Sequence, residues 1–341
     1  IRIVRSEMGQ GTITGLAQLA AEELECDWKK VRYEYPTPGQ SHARKRIWGE
    51  MSTGGSRGIR MSHDIVRRGG AAARTMLLEA AAQEWKVPAS ELTVADGVIT
   101  HAASKRKTTY GKVAAAAAKL TPPDPKSLTL KDPKTWKVAG KPMKRLDTAD
   151  KLNGSKKYAI DLSLPGMLNA SIKAAPVHGN KVKSYDETKV AAMPGVRRIV
   201  KVDDSTLAVV ADTWWQARKA VDALPIVYEE TANDRISSAS IAERLKEGLA
   251  PGAANMHAGN SVGDVPKALE TATKKIEAVY ATPFLSHATM EPMNCTARYT
   301  PERAEICVPT QNGEASHAAL SEAAVLALDR CEVYKMDLGG G

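Results

Sequence analysis

The sequence predicts an α+β protein of more than one domain, on three observations. Two glycine turns near the start each run into apolar residues at helical spacing. A middle region consists of short β-prone runs around one helical pattern, and the last region returns to strands followed by a helix. The short strands around one helix in the middle region read as a compact α+β module.

The first element is read as strand, turn and helix. Ile1, Ile3 and Val4 form a β-prone run, Ser6-Glu7-Met8-Gly9-Gln10-Gly11-Thr12 is the turn, and Thr14 to Leu24 is helical. Trp28 to Tyr35 alternates as a strand and ends at Pro36-Thr37-Pro38-Gly39. The second glycine turn, Ser52-Thr53-Gly54-Gly55-Ser56-Arg57, leads to a helix expected from Asp64, as N-cap, to Val87. Leu92–Ala95 and Val98–Thr100 around Asp96-Gly97 predict a hairpin, and Tyr110 to Leu120 predicts an alanine-rich helix. Thr121-Pro122-Pro123-Asp124-Pro125 opens a basic, loop-like passage to Arg145.

Strands are expected at Tyr158–Leu162, Leu168–Lys173, Val196–Val202, Leu207–Ala211 and Pro225–Glu229, with a helix over Trp214–Leu224 capped by Asp212-Thr213. The last region carries a helix after Pro266, strands at Ile276–Tyr280 and Ala304–Pro309, and a helix over Glu314–Leu328. The resulting division is 1–121, a linker 122–145, a compact module 146–230, a connecting segment 231–265, and a final region 266–341.

A chain of 341 residues with 43% hydrophobic and 26% charged residues is ordinary for a globular protein, and its longest apolar runs are too short to span a bilayer. The net charge of +9 is spread along the chain without a nucleic-acid recognition motif, so it reads as a solvated basic surface and no nucleic-acid partner is expected. Cys26, Cys295, Cys307 and Cys331 stand too far apart for a zinc or iron–sulfur site. Ile1 reads as the interior of a strand and Gly341 as the middle of a loop, which gives the expectation of a piece of something longer.

Two glycine turns before helices have the geometry of an anion cradle, because a helix N-terminus presents free N–H groups, but such turns are also plain connections. Two polar stretches follow strands in the last region: Leu285 to Asn294, containing His287-Ala288-Thr289-Met290-Glu291-Pro292, and Val308-Pro309-Thr310-Gln311-Asn312. His287 and Glu291 lack a third ligand and are followed by Pro292, so no metal site of this chain's own is expected, and His287 is read as a buried, hydrogen-bonded histidine. Gln311 can donate and accept at once. No nucleophile elbow or metalloprotease motif is present, so hydrolase classes are not supported.

The order Glu7-Met8-Gly9-Gln10-Gly11, then H-x-x-M-E-P, then Pro309-Thr310-Gln311, then Leu338-Gly339-Gly340-Gly341 resembles the molybdenum-cofactor-binding subunit of the xanthine dehydrogenase and aldehyde oxidase family. Placing M-G-Q-G first is similar to the branch typified by the isoquinoline 1-oxidoreductase beta subunit and by membrane-associated bacterial aldehyde dehydrogenases. The resemblance implies molybdopterin-binding pieces flanking a small α/β hammerhead domain at 146–230. It implies that Gly9, Gln10, Gly11 and Thr12 meet the phosphate-bearing end of a molybdopterin cytosine dinucleotide. It further implies that Gln311 lies against the metal as the catalytic residue, that Gly339, Gly340 and Gly341 turn backbone N–H groups toward it, and that Ser56 adds a cofactor contact.

The same resemblance implies oxidation of aldehydes or hydroxylation of N-heterocycles with oxygen from water. The base glutamate is expected outside this chain, in a C-terminal half of the molybdenum subunit. Electrons are expected to leave through [2Fe-2S] clusters on a ferredoxin-like partner subunit, with a c-type cytochrome as a further partner. A periplasmic location, attached to the inner membrane through a partner, completes the expectation. The alternative from another class is a non-catalytic basic protein that binds nucleic acid or an acidic partner.

Overall fold

The computed structural model describes residues 1–250, 259–260 and 262–341; the connecting segment expected over 231–265 lies partly outside these. The chain divides into two compact units: Ile1–Leu162 with His287–Gly341, and Ser163–Ser286.

The first unit begins with an irregular segment. Instead of the expected strand, Ile1–Val4 makes a single parallel bridge, Arg2 to Glu34, and Trp28–Lys30 is a 3-10 turn. Helix α1 (Thr12–Leu24) follows, then the short α2 (Pro38–Ala43) and the long α3 (Arg57–Trp85). Helix α3 starts seven residues before the expected cap, since Gly55 and Ser56 turn the chain in the left-handed region (φ 57° and 56°). Asp64 instead sits inside the helix and pairs with Arg68 one turn on, at 2.6 Å.

Helices α1 and α3 cross closely because the crossing point carries no side chain. A Cβ on Gly70 would lie 2.4 Å from the Ala20 carbonyl oxygen. Around them pack Ile13, Leu16, Ala17, Leu19 and Val31, while Ala80–Ala82 join Leu92, Ile99 and Val113 in a second cluster. Strands β1 (Leu92–Ala95) and β2 (Val98–His101) form the expected hairpin, with Asp96 and Gly97 both at positive φ as a two-residue I′ turn requires, and β3 (Arg106–Thr109) extends it. Helix α4 (Tyr110–Ala117) closes this part.

The passage 122–145 runs back across α1 and is fastened by two buried acids of that helix. Glu22 accepts from the amides of Lys137, Val138 and Ala139 at 2.8, 2.6 and 3.2 Å and pairs with Lys131 at 2.7 Å. Burial works against ionisation of Glu22, but Lys131 and the three amides hold its carboxyl below the usual range. Glu23 accepts from the Lys131 amide and from Arg67. Helix α5 (Thr148–Leu152) follows, and Ala159–Asp161 is a 3-10 turn where a strand was expected.

The second unit contains β4 (Asn169–Ala174), β5 (Val182–Tyr185), α6 (Thr188–Ala191), β6 (Val196–Lys201), β7 (Thr206–Ala211), α7 (Trp214–Ala223) and β8 (Ile226–Tyr228). One antiparallel sheet has the order β4-β7-β6, and β5 pairs with β8. Thr213 caps α7 with a full capping box to Gln216, and the apolar face of α7 packs on Leu207 and Val209 of the central strand. Helices α8 (Ser238–Glu247) and α9 (Val265–Thr271) come next. The strand expected at Ile276–Tyr280 is not formed: these residues are exposed and have no ladder partner among the described residues.

The chain then returns to the first unit with β9 (Thr296–Thr300), β10 (Arg303–Val308), α10 (Gly313–Ala324) and β11 (Cys331–Lys335). Strand β10 is central, antiparallel to β9 and parallel to β11, with α10 as the crossover.

The glycine pair in α3 gives a direct check on the α1–α3 crossing. Gly70→Ala forces a methyl into the Ala20 carbonyl and is expected to lower stability by about 1–3 kcal/mol. Gly69→Ala, exposed with nothing within 4 Å of the new carbon, is expected to raise it by about 0.5–1 kcal/mol. Denaturant unfolding of both variants measures this, and a stable Gly70→Ala protein would contradict the packing.

Candidate functional site

The Ser6–Thr12 turn is organised by its own acid. Glu7 is buried, and its Oε1 accepts from the amides of Gly9 and Gly11 at 2.9 and 2.8 Å, while Oε2 accepts from the amide of Ile13 at 3.1 Å. Arg145 pairs with the same carboxylate at 3.2 Å and donates to the Gly9 carbonyl at 2.8 Å. The expectation of a wholly free amide cradle is thereby corrected: an internal anion takes three of the donors, for the reason that made an anion attractive there. The N–H groups of Gln10 and Thr12 have no hydrogen-bond partner among the described residues. The Gln10 side chain folds back, accepting from Met8 N at 2.6 Å and donating to Ser6 O at 2.9 Å. Gly9 and Gly11 lie at φ +103° and +81°, which only glycine adopts without strain.

The second turn and the Gln311 segment join the first. Ser6 N donates to Thr53 Oγ1 at 2.8 Å and Ser6 Oγ donates to Thr310 O at 2.7 Å. Thr53 N donates to Gln311 O at 2.7 Å, and Gln311 Nε2 donates to Thr53 O at 2.9 Å. Gln311 therefore commits one amide hydrogen to the protein, and its side-chain oxygen has no hydrogen-bond partner among the described residues. Ser56 precedes α3 with its side chain making no capping bond, and Gly58, two residues on, meets Thr12, so the starts of α1 and α3 touch.

The triple glycine arrives from the other end of the chain. Leu338 N donates to Glu7 O at 2.9 Å, and a Cβ on Gly341 would lie 2.8 Å from Met8 Sδ. The turn that carries Gly9–Gly11 and the loop that carries Gly339–Gly341 thus touch through Glu7 and Met8, with Gln311 reached through Ser6 and Thr53. His287, expected to be buried, is exposed and has no hydrogen-bond partner among the described residues, because nothing there packs over the extended segment that carries it. Among the described residues no group of three His, Cys, Asp or Glu side chains is placed to hold a metal ion.

Several residues beneath the loops were missed by sequence reasoning. Asp337 is buried and accepts from Tyr33 and Tyr35 hydroxyls, with Lys156 as its ion partner, and Tyr35 in turn accepts from Glu7 N at 3.1 Å. Burial and the Asp337 carboxylate push both hydroxyls up. Arg145 and Lys151, against the effect of burial, hold the Asp147 carboxyl at about 2. The readable signals were Glu7 and Asp337, acids placed immediately before glycine loops, and the two-residue spacing of Tyr33 and Tyr35.

Lys335 lies in the same layer, its Nζ donating to Val4 O at 2.5 Å and standing 4.8 Å over the Tyr35 ring. Burial, then Arg5, pushes it down to about 7, with Asp337 opposing. Between that value and its ordinary 10.5 the folded protein binds fewer protons than the unfolded chain, so stability from this group rises as pH goes from 7 to 10.5. Lys335→Met is expected to flatten that rise, measured by denaturant unfolding across this range. A rise of the same slope in the variant would contradict the burial of a neutral lysine.

Comparison with known proteins bears on this arrangement. Two family models, each described as a molybdopterin cofactor-binding domain, match residues 1–160 and 250–341. The chain is 30% identical over 308 residues to "Membrane-bound aldehyde dehydrogenase [pyrroloquinoline-quinone]" of Gluconacetobacter polyoxogenes, covering 87% of this chain and 39% of that protein. It is 29% identical over 238 residues to isoquinoline 1-oxidoreductase subunit beta of Brevundimonas diminuta, covering 60% and 30%. Among solved structures, quinoline 2-oxidoreductase from Pseudomonas putida 86 aligns at 20% identity with a TM-score of 0.44, over 57% of this chain and 30% of that one. The chain thus spans well under half the length of these two curated relatives. With the two molybdopterin-binding models together matching most of its length, the chain belongs to the molybdopterin-cofactor-binding subunits of the xanthine dehydrogenase family.

Proposed function

We propose that this chain supplies the glycine-loop side of the cofactor site in a molybdenum hydroxylase that oxidises aldehydes or hydroxylates N-heterocycles, with water as the oxygen source. The observation that carries the reading is that the Glu7–Gly11 turn and the Leu338–Gly341 loop touch in one unit, through Glu7 with Leu338 and Met8 with Gly341, and that the same turn is tied through Ser6 and Thr53 to the Gln311 segment. The residues fit a phosphorylated pterin. Gly9 and Gly54 have open space where a side chain would stand, so a flat group can approach the backbone. The amides of Gln10 and Thr12 remain to donate at the positive end of α1, and half-exposed Arg57 and Arg145 add positive charge at the two turns.

When bound, a molybdenum pterin supplies the two-electron chemistry. The chain's own residues hold and orient it: Gly9, Gln10, Gly11, Thr12 and Ser56 at the phosphate-bearing end, proposed to be a cytosine dinucleotide, and Gln311 with Gly339, Gly340 and Gly341 at the metal end. Glu7, Glu291 and Asp337 are all engaged by amides, hydroxyls or cations, which supports a general-base glutamate outside this chain. Electrons are proposed to leave through [2Fe-2S] clusters on a partner subunit. Among the described residues no helix is long and apolar enough to cross a membrane; a periplasmic location, attached to the inner membrane through a partner, is part of the proposal. Recovery of the assembly in the cytoplasmic fraction of gently lysed cells would remove that part.

Metal and cofactor analysis of the purified assembly tests the reading. Near-stoichiometric molybdenum with an extractable cytosine pterin is expected. Stoichiometric pyrroloquinoline quinone without molybdenum, the group named in the aldehyde dehydrogenase relative, would overturn it. Gln311→Ala is expected to leave fold and metal content unchanged while lowering turnover roughly ten- to a hundredfold. Unchanged turnover in the loaded assembly would remove Gln311 from the catalytic role.

A further inference from the structure

We infer that Glu291, the acid of the H-x-x-M-E-P stretch, is a positioning residue that fixes the Gly339–Gly341 loop. Its Oε2 accepts from Gly339 N at 2.8 Å, and its own main-chain N–H donates to Gly339 O at 3.1 Å, so the two segments are joined by a closed pair of bonds. Its Oε1 is held in turn by Asn294 Nδ2 and Ile160 N, both at 3.1 Å. The side chain therefore cannot swing without breaking three donors' bonds.

The glycines themselves record the same closeness. A Cβ on Gly339 would lie 2.3 Å from Glu291 Cβ, and one on Gly340, at φ +143°, would lie 2.9 Å from Thr289 Cβ. Thr289 Oγ1 donates to Glu291 O at 2.7 Å and stiffens this floor. Two of the three glycines are thus required by the 289–291 backbone beneath them, before any ligand is considered. Glu291 acts on the loop and not on substrate, and its effect on turnover rests on the function proposed above.

The test exchanges charge between two neighbours in the natural assembly. In Glu291→Gln one corner of the side chain becomes a donor facing a donor, so either the Gly339 bond or the Asn294 and Ile160 bonds are lost. Adding Asn294→Asp restores an acceptor for the new amide nitrogen and leaves the oxygen of that amide free for Gly339, while the Ile160 bond and the donation from Asn294 to Pro292 O stay lost, so recovery is expected in the Gly339 loop and not at those two neighbours. Amide hydrogen exchange of the 336–341 peptide should rise about tenfold in Glu291→Gln, the range for losing a charge-assisted bond, and return to within about threefold of the parent in the double variant. Turnover number should fall and recover in parallel, with KM little changed.

Asn294→Ala, a milder variant that leaves the Gly339 bond in place, should raise exchange less than Glu291→Gln, and it keeps the test open should that variant fail to fold. Exchange in the 92–101 hairpin monitors folding throughout. Parent-like exchange in Glu291→Gln, a double variant no better than the single one, or a larger effect from Asn294→Ala would overturn the inference. A parent assembly without molybdenum would remove the proposed function and leave the exchange result standing.

Discussion

Irregular backbone in this protein is held by buried and half-buried carboxylates, each collecting main-chain N–H groups that no helix or sheet can satisfy. Glu7 takes three amides and an arginine, Glu22 three amides and a lysine, Glu23 an amide and an arginine, and Glu291 two amides with an asparagine. A lone buried carboxylate is strongly unfavourable, and a peptide N–H left unpaired away from water is unfavourable as well. Bringing several such donors to one anion offsets both costs and produces short, charge-assisted bonds. Loops that would otherwise fray become as defined as the helices beside them.

That constraint decides what the glycine loops can do. In the turn before α1, the amides of Gly9, Gly11 and Ile13 are used by Glu7, so a ligand is left those of Gln10 and Thr12, the open faces of Gly9 and Gly54, and the nearby guanidinium groups. The turn is a shaped ledge with positive edges rather than an empty anion hole. Its backbone also holds the far end of the chain, since Glu7 accepts from Leu338 and donates to Tyr35, which Asp337 anchors. Both loops therefore depend on one buried layer of acids, tyrosines and lysines.

Local rules were legible in the sequence where local bonds decide the outcome. The Asp96-Gly97 hairpin and the Thr213 cap follow from turn and cap chemistry within a few residues. Reading failed where the deciding partner is distant. Ile276–Tyr280 has strand composition but no ladder among the described residues, and Ile1–Val4 finds a single bridge. Asp64 is a good cap residue overtaken by a left-handed turn upstream, and His287 follows a segment with nothing packed over it. The motif residues themselves were visible, because four short motifs stand in one order along the chain. The acids stood in plain view beside the motif glycines, but their holding role was not legible, because a glutamate next to a glycine turn looks like any solvated charge until its donors are known.

The account stands on both glycine loops facing one bound group. The most direct measurement is an experimental density map of the purified, active assembly, sharp enough to trace main chain at residues 8–12, 311 and 339–341. The account predicts a single ligand density bordered by all three, with the Glu7 carboxylate still turned inward to the amides of Gly9 and Gly11. Loops that stand apart, or a ligand density that touches neither of them in an active assembly, would contradict it.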